Sequence, residues 1–382
     1  MNRAIKYRLY PDEKQAQWLA FNFGCCRKIY NEALNWRTSA YKADGTVIRY
    51  HDTATALPQV KKFYPWLKDS DSASLQQSLL HLDAAFTGFF EGRSGYPAFK
   101  SRRNRQSYST PLTNGNIAVL DDCIRLPKAG KVKAVIHRTA PESWRLCSAT
   151  VSKERDGAFY ASILYEVPEA SAAGVEFSRS ECLGLDYKSD GLYMDSDGRS
   201  AGMPKYYRQA EKRLARAQRR LSRKKGARRG ETASGKFKKQ KLKTAKISRH
   251  TASQRMDFLH KLSHELAGRY RVICVEDLNL KDMSRHHAKG FHLGKSTADN
   301  GYAKFLSMLE YKLADKGGTL IRVDKWYASS QICHICGHRN PTTKDLSVRR
   351  VVCPECGAEY DRDINAAQNI RDEGWRIYLS ST

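Results

Sequence analysis

Residues 351–370 read VVCPECGAEYDRDINAAQNI, and KWYASSQICHICG precedes them at 325–337. Together they hold two Cys-x-x-Cys pairs, Cys333/Cys336 and Cys353/Cys356, with 16 residues between. Two such pairs supply four thiolates for one tetrahedral zinc ion and leave no position for a substrate, so the site reads as structural zinc. Gly337 and Gly357 follow the second cysteine of each pair and suit tight turns whose amides face the sulfurs. His334 and His338 read as surface residues. Directly behind the second pair an acid opens a helix, and Ala366 and Ala367 are small enough to let that helix approach a sheet closely. Asp361 and Asp363 stand two positions apart, so on a helix they point about 200° away from each other and cannot share one role. Asp363 is favoured for chemistry, because Asn365 and the alanine pair put it at the packed helix start; Asp361 is then a cap or supporting group.

Working outward, two apolar segments also end in acids. Cys182-Leu183-Gly184-Leu185 leads into Asp186, and Val272-Ile273-Cys274-Val275 leads into Glu276. An ionised carboxylate closing a buried strand is costly unless it is paired or binds a cation. Three carboxylates from two strand ends and a helix start suit two Mg²⁺ ions about 3.5–4 Å apart, the arrangement that hydrolyses phosphodiesters.

The charge balance points the same way. The 382 residues carry 67 Lys plus Arg against 40 Asp plus Glu, a net charge of +27. So large an excess calls for a polyanion, and nucleic acid is the expected one. With 41% hydrophobic and 10% aromatic residues the chain is globular, not a disordered basic tail. No apolar run approaches the ~20 residues of a membrane span, and MNRAIKYRLY lacks the apolar core of a signal peptide. The other six cysteines are scattered, which together with the missing leader predicts reduced thiols and a cytoplasmic, nucleoid-associated protein with no membrane partner.

Along the chain, residues 1–10 alternate as a strand, and helices are expected at about 12–41, 54–65 and 73–91. Basic residues Arg102, Arg103 and Arg105 then interleave with aromatic ones. Short alternating runs at about 117–120, 123–126, 132–137, 147–153 and 158–167 suggest a small antiparallel barrel or sandwich to which the first strand also belongs. From 181 onward the period is that of α/β structure. Residues 205–250 hold 19 Lys or Arg against Glu211 and Glu231. They read as two helices around a Gly226–Gly235 break that lie along a phosphate backbone, with Arg219, Arg220, Arg223 and Lys224 among the contacts. A helix through His264, the Glu276 strand, a His-rich loop at 281–300, a helix at about 302–316 and a strand at 320–323 follow.

LGLDYKSDG, ICVEDLNL, KWYASSQICHICG and VVCPECGAEYDRDINAAQNI, in that order, resemble the TnpB family of transposon-encoded nucleases, relatives of compact type V CRISPR effectors. KYRLYPDEKQ and NFGCCRKIYNEALNWR near the start are similar too. The resemblance implies an α+β multidomain chain. A wedge β-barrel (1–10 and 96–180) holds an inserted helical recognition module (11–95). A RuvC (RNase H-like) α/β nuclease domain (181–330 and 358–382) follows, with a zinc-binding insert (331–357). It puts the catalytic, magnesium-binding triad on Asp186, Glu276 and Asp363 and the zinc ligands on Cys333, Cys336, Cys353 and Cys356. It further implies RNA-guided cleavage of double-stranded DNA next to a short flanking motif, by a monomer bound to a guide RNA. Residues near Tyr30, Asn31 and Trp36 are candidates for flanking-motif or heteroduplex contact, or simply core. One departure stands out: Tyr187-Lys188 follow Asp186 where many relatives have a hydrophobic residue and glycine, so Lys188 either sits near the metals and opposes them or points away to touch nucleic acid. Two other readings compete, a guided DNA-binding repressor without nuclease activity and an unguided RNase H-like nuclease.

Overall fold

The computed structural model describes residues 2–168, 177–226, 232–279, 301–344 and 348–381, so the His-rich loop lies outside the described residues. The chain divides into two compact units, Met1–Glu169 and Ala170–Thr382.

In the first unit, β1 (Asn2–Tyr10) has the alternation that predicts a strand: Ile5, Tyr7 and Leu9 are buried, and their neighbours face outward. Two residues beyond its end, the Asp12 carboxylate accepts the Gln15 amide at 2.8 Å while the Gln15 side chain accepts the Asp12 amide at 3.1 Å. This reciprocal cap starts α1 (Glu13–Asp44), which Gly45 stops in the left-handed region at φ 78°. Helices α2 (Tyr50–Phe63) and α3 (Ser72–Phe90) follow. The α2 helix starts earlier than its apolar pattern suggests and carries Pro58 inside it. Buried Asn22 clips α1 to the start of α3, accepting the Asp71 amide at 3.1 Å and donating to Ser74 Oγ at 3.1 Å.

The chain then returns as β2 (Gln106–Pro111), β3 (Ala118–Val119), β4 (Cys123–Leu126), β5 (Gly130–Val135), β6 (Arg145–Lys153) and β7 (Phe159–Glu166). These pair antiparallel with β1 in one sheet of order β2-β6-β7-β1-β5-β4-β3. The sheet face and the helices share one core, with Leu19, Phe23 and Leu75 packing in it beside Tyr7 and Ile163. Strand β2 was not expected, because its polar sequence QSYSTP buries only Tyr108 and Thr110.

The second unit is built on a sheet of order β11-β10-β8-β9. It comprises β8 (Cys182–Lys188), β9 (Leu192–Asp195), β10 (Val272–Glu276) and β11 (Thr319–Val323). β8, β10 and β11 are parallel, which suits their near-continuous apolar runs, whereas β9 is antiparallel. The basic segment forms α4 (Tyr206–Ser222) and α5 (Gly235–Arg269). The latter runs unbroken through His264, so the expected separate helix there is part of it. After α6 (Tyr302–Ala314) and β11 come the hairpin β12 (Arg350–Val352) and β13 (Glu359–Asp361), then α7 (Arg362–Ser381).

Side chains alternate across the sheet. Leu183, Leu185, Ile273 and Val275 pack with Leu259 of α5 and Phe305 and Leu309 of α6. Cys182, Val272 and Cys274 pack with Ile370 and Tyr378 of α7 on the opposite face. The α7 helix comes so close to β8 that a Cβ on Gly184 would lie 2.0 Å from the Ala367 carbonyl oxygen and 2.7 Å from the Arg371 amide nitrogen. Those neighbours are backbone and cannot yield. Gly184→Ala is therefore expected to destabilise this unit by about 3 kcal/mol or more, by forced overpacking. Chemical denaturation followed by circular dichroism checks this, and an unshifted midpoint contradicts it.

Candidate functional site

The two-residue period of a strand decides where the acids go. Asp186 has the parity of Cys182 and Gly184, and Glu276 that of Val272 and Cys274, so both face α7. Val275 pairs with Leu185 in the parallel register, which puts Glu276 and Asp186 side by side just beyond that pair, at the carboxyl ends of adjacent strands. Asp363 lies in the first turn of α7 and is 7% exposed. Asp361 caps that helix, its Oδ1 accepting the amides of Asp363 at 2.9 Å and Ile364 at 3.1 Å.

Burial pushes the Asp186 carboxyl well above the usual range; the charges of Glu276 and Asp363 add to this, while Arg362 and Lys188 oppose it. Burial also raises Glu276, opposed by the Ser329 hydroxyl that donates to its Oε1 at 2.5 Å. Asp363 is answered instead by protein cations, with Lys188 Nζ at 3.1 Å from Oδ2 and Arg349 Nη1 at 3.0 Å from each oxygen. Lys188 shares the parity of Asp186, which is why it reaches this acid. The departure at this position thus puts an ammonium group into the acidic cluster.

A cluster of buried, mutually repelling carboxylates is the donor set a hard divalent cation requires. The three are not drawn together as tightly as the cysteines. Among the described residues, Cys333, Cys336, Cys353 and Cys356 form the one group of three or more possible ligands whose atoms all lie within 4.8 Å of one another.

The cysteine site fits a metal on its own geometry. Cys333 and Cys356 sulfurs are 3.9 Å apart, and those of Cys336 and Cys353 are 3.6 Å apart. Sulfurs about 2.3 Å from a tetrahedral zinc ion stand about 3.8 Å from each other, whereas a disulfide requires about 2 Å. Backbone amides of Cys356 and Glu355 help hold the Cys353 thiol below its ordinary value, favouring the thiolate that metals bind, while burial and the neighbouring thiols push the Cys336 thiol up. All ten cysteines are free, including the buried pair Cys182 and Cys274.

Three side chains tie the two centres together, of which Ser329 and Asn369 have no assigned role in the sequence and Asn365 was expected only to mark the packed helix start. Asn365 donates to the Ile332 carbonyl at 2.7 Å and accepts the His334 amide at 2.8 Å. Asn369 donates to the carbonyls of Ser329 and Ile332 at 2.8 and 2.7 Å. Ser329 in turn holds Glu276. The available signal was Asn365 and Asn369, four apart on one helix face. The expected nucleic-acid contacts are solvent-facing: Arg102, Arg103 and Arg105 are exposed in the first unit, and in the second Arg219, Arg220 and Arg223 are exposed beside half-buried Lys224.

Two outcomes follow. The folded state binds the Asp186 proton more tightly than the unfolded chain does. Its contribution to stability is therefore complete below the ordinary carboxylate pKa of about 3.9 and is lost as pH rises through the raised value. Without added Mg²⁺ or Mn²⁺, Asp186→Asn should melt above the wild type at pH 8, and the gap should close towards pH 4; equal melting at pH 8 contradicts this. Elemental analysis should find one zinc per chain, and Cys353→Ser should lose it and melt lower.

Comparison with known proteins follows the same outline. Family models match residues 302–370 ("Cas12f1-like, TNB domain"), 163–287 ("Probable transposase") and 1–46 ("Helix-turn-helix domain"), although residues 2–44 here form a strand and one long helix. A Streptomyces pristinaespiralis protein named "Putative RNA-guided DNA endonuclease" is 35% identical over 377 residues, covering 98% of this chain and 90% of its own. "Putative RNA-guided DNA endonuclease InsQ" of Escherichia coli K12 is 29% identical over 388 residues, covering 98% and 93%. Among solved structures, one titled as a Cas12f1–sgRNA–target DNA complex covers 97% of this chain and 98% of its own, with a TM-score of 0.50 and 14% identity, and so supports the fold. With a 35% identical relative matched over nearly its whole length, the chain belongs to the TnpB family.

Proposed function

We propose that this chain is an RNA-guided DNA endonuclease. The observation that carries the reading is the convergence of Asp186 and Glu276, on adjacent parallel strands, with Asp363 on the face covered by α7. On this reading the second unit is a RuvC-like nuclease domain, with the cysteine site at 331–357 as its structural zinc insert. The first unit is a wedge-like barrel carrying the helical module at 11–95. Mg²⁺ held by the three carboxylates, as a pair, would supply Lewis-acid stabilisation of the leaving oxygen and a nucleophilic water.

The chain's own residues prepare that site. Ser329 fixes the orientation of Glu276, and Asp361 caps α7 so that Asp363 sits at its first turn. Lys188 and Arg349 balance Asp363 electrostatically until a stronger cation competes for it. Exposed Arg102, Arg103, Arg105, Arg219, Arg220 and Arg223, with Lys224, neutralise phosphates of a guide RNA and target DNA. Guide pairing then reads the target, while the protein reads a short flanking motif. The protein acts as a monomer in the cytoplasm of a prokaryote, at the nucleoid; no described helix is long and apolar enough to cross a membrane.

The ion pair of Lys188 with Asp363 favours a second reading, guided binding without cleavage. One experiment separates them. The chain is co-expressed with its native flanking DNA, purified with its retained RNA, and given target DNA with Mg²⁺. Wild type should cut, and Asp186→Ala should bind equally but cut about 10³-fold more slowly, roughly 4 kcal/mol of lost transition-state stabilisation. Undiminished cutting by the variant overturns the assignment, and binding without cutting by the wild type selects the second reading.

A further inference from the structure

Within the first unit, α1, α3, β2 and the segment at 98–105 enclose a cavity of about 390 Å³. Arg27, Lys100, Arg105 and His81 line it, and no Asp or Glu does. Lys100 is delivered by a fixed backbone, its amide donating to Asn31 Oδ1 at 2.8 Å and its carbonyl accepting from Asn31 Nδ2 at 2.9 Å. Its ammonium lies 3.7 Å from the centre of the Tyr30 ring, and burial lowers its pKa. None of Arg27, Lys100 and Arg105 makes an ion pair with an acid among the described residues. Tyr108, 3% exposed, lines the same cavity, and its hydroxyl has no hydrogen-bond partner there. Phe99 also lines the cavity and presents 59% of its surface to solvent.

The walls are preformed. Asn104 Oδ1 accepts from the Ser101 amide at 2.6 Å and from its hydroxyl at 2.8 Å, and Gln106 Nε2 donates to the Asn104 carbonyl at 2.9 Å. A cluster of cations without a counter-charge, a buried hydroxyl without a partner and an exposed aromatic ring meet in one cavity, and the orphaned hydroxyl is costly unless something completes it. An anion with a flat apolar face does so. Small-molecule pockets hold about 300–1,000 Å³, so this one has room for a single nucleotide and not for a duplex.

We infer that this cavity takes one unstacked nucleotide of a bound nucleic acid strand, its phosphate on Lys100 and Arg105 and its base against Phe99. The inference rests on the nucleic-acid-binding part of the proposed function. It assigns Lys100 and Phe99 a task separate from the carboxylate site. Guide RNA and DNA are both possible sources of the nucleotide, and the test distinguishes them.

Calorimetry on the full-length chain uses the four ribonucleoside and four deoxyribonucleoside 5′-monophosphates, with adenosine and inorganic phosphate as controls. At least one monophosphate should bind saturably, and phosphate or adenosine about tenfold or more weaker, because each makes half of the contacts. Lys100→Met should weaken nucleotide binding about tenfold with the melting temperature unchanged. Phe99→Ala, at an exposed position, should weaken nucleotide binding while sparing phosphate. Preference for ribonucleotides assigns the pocket to RNA, and the reverse or no preference assigns it to DNA. Phosphate binding as tight as any nucleotide, or nucleotide binding indifferent to both substitutions, overturns the inference. Neither result touches guided cleavage, whose own failure would leave mononucleotide binding intact.

Discussion

The carboxylate site depends on how closely α7 lies against β8. At Gly184 the helix backbone occupies the space where any side chain would project, and Gly374 admits Cys274 in the same way on the next strand, where a Cβ would lie 2.3 Å from its sulfur. This approach brings the first turn of α7 to the carboxyl ends of β8 and β10. Strand alternation then gives Asp186 and Glu276 the parity that faces the helix carrying Asp363. Burial of Asp186, and after it the like charges of Glu276 and Asp363, raise the energy of the metal-free fold and push its carboxyl upward. A cation bound there would offset both terms, which would make metal binding and local stability one linked quantity.

The cysteine site is mechanically connected to this arrangement. Asn365 and Asn369 hold the segment from Ser329 to His334 by four hydrogen bonds, and the Ser329 hydroxyl reaches Glu276. A closed four-sulfur site does no chemistry, yet through α7 and Ser329 it fixes one of the three acids. A zinc ion held by the four cysteines would therefore steady Glu276 as well as the hairpin β12–β13.

Much of this was legible in the residues. The Cys-x-x-Cys pairs and the apolar runs leading into Asp186 and Glu276 are local patterns with strict spacing: the four cysteines meet and the two runs are adjacent parallel strands, although β8 continues two residues past Asp186 to Lys188. The preference for Asp361 as the cap follows from the same helical geometry. That Lys188 lies among the acids was one of the two positions the sequence offered; its choice of Asp363 was not legible, because the two lie 175 positions apart and meet only through the sheet. Strand β2 escaped notice because QSYSTP is polar and is recruited by pairing with β6, a tertiary effect that propensity does not carry. The unbroken α5 escaped for the opposite reason: its basic first half and apolar-faced second half look like two helices, although no glycine or proline separates them.

The central claim is that Asp186, Glu276 and Asp363 together form a divalent cation site. The most direct measurement is anomalous diffraction from crystals of the chain with bound nucleic acid and Mn²⁺. The account predicts manganese between Asp186 and Glu276, with Asp363 turned onto the metal and released from Lys188. Manganese elsewhere only, with Asp363 still paired to Lys188, would contradict it.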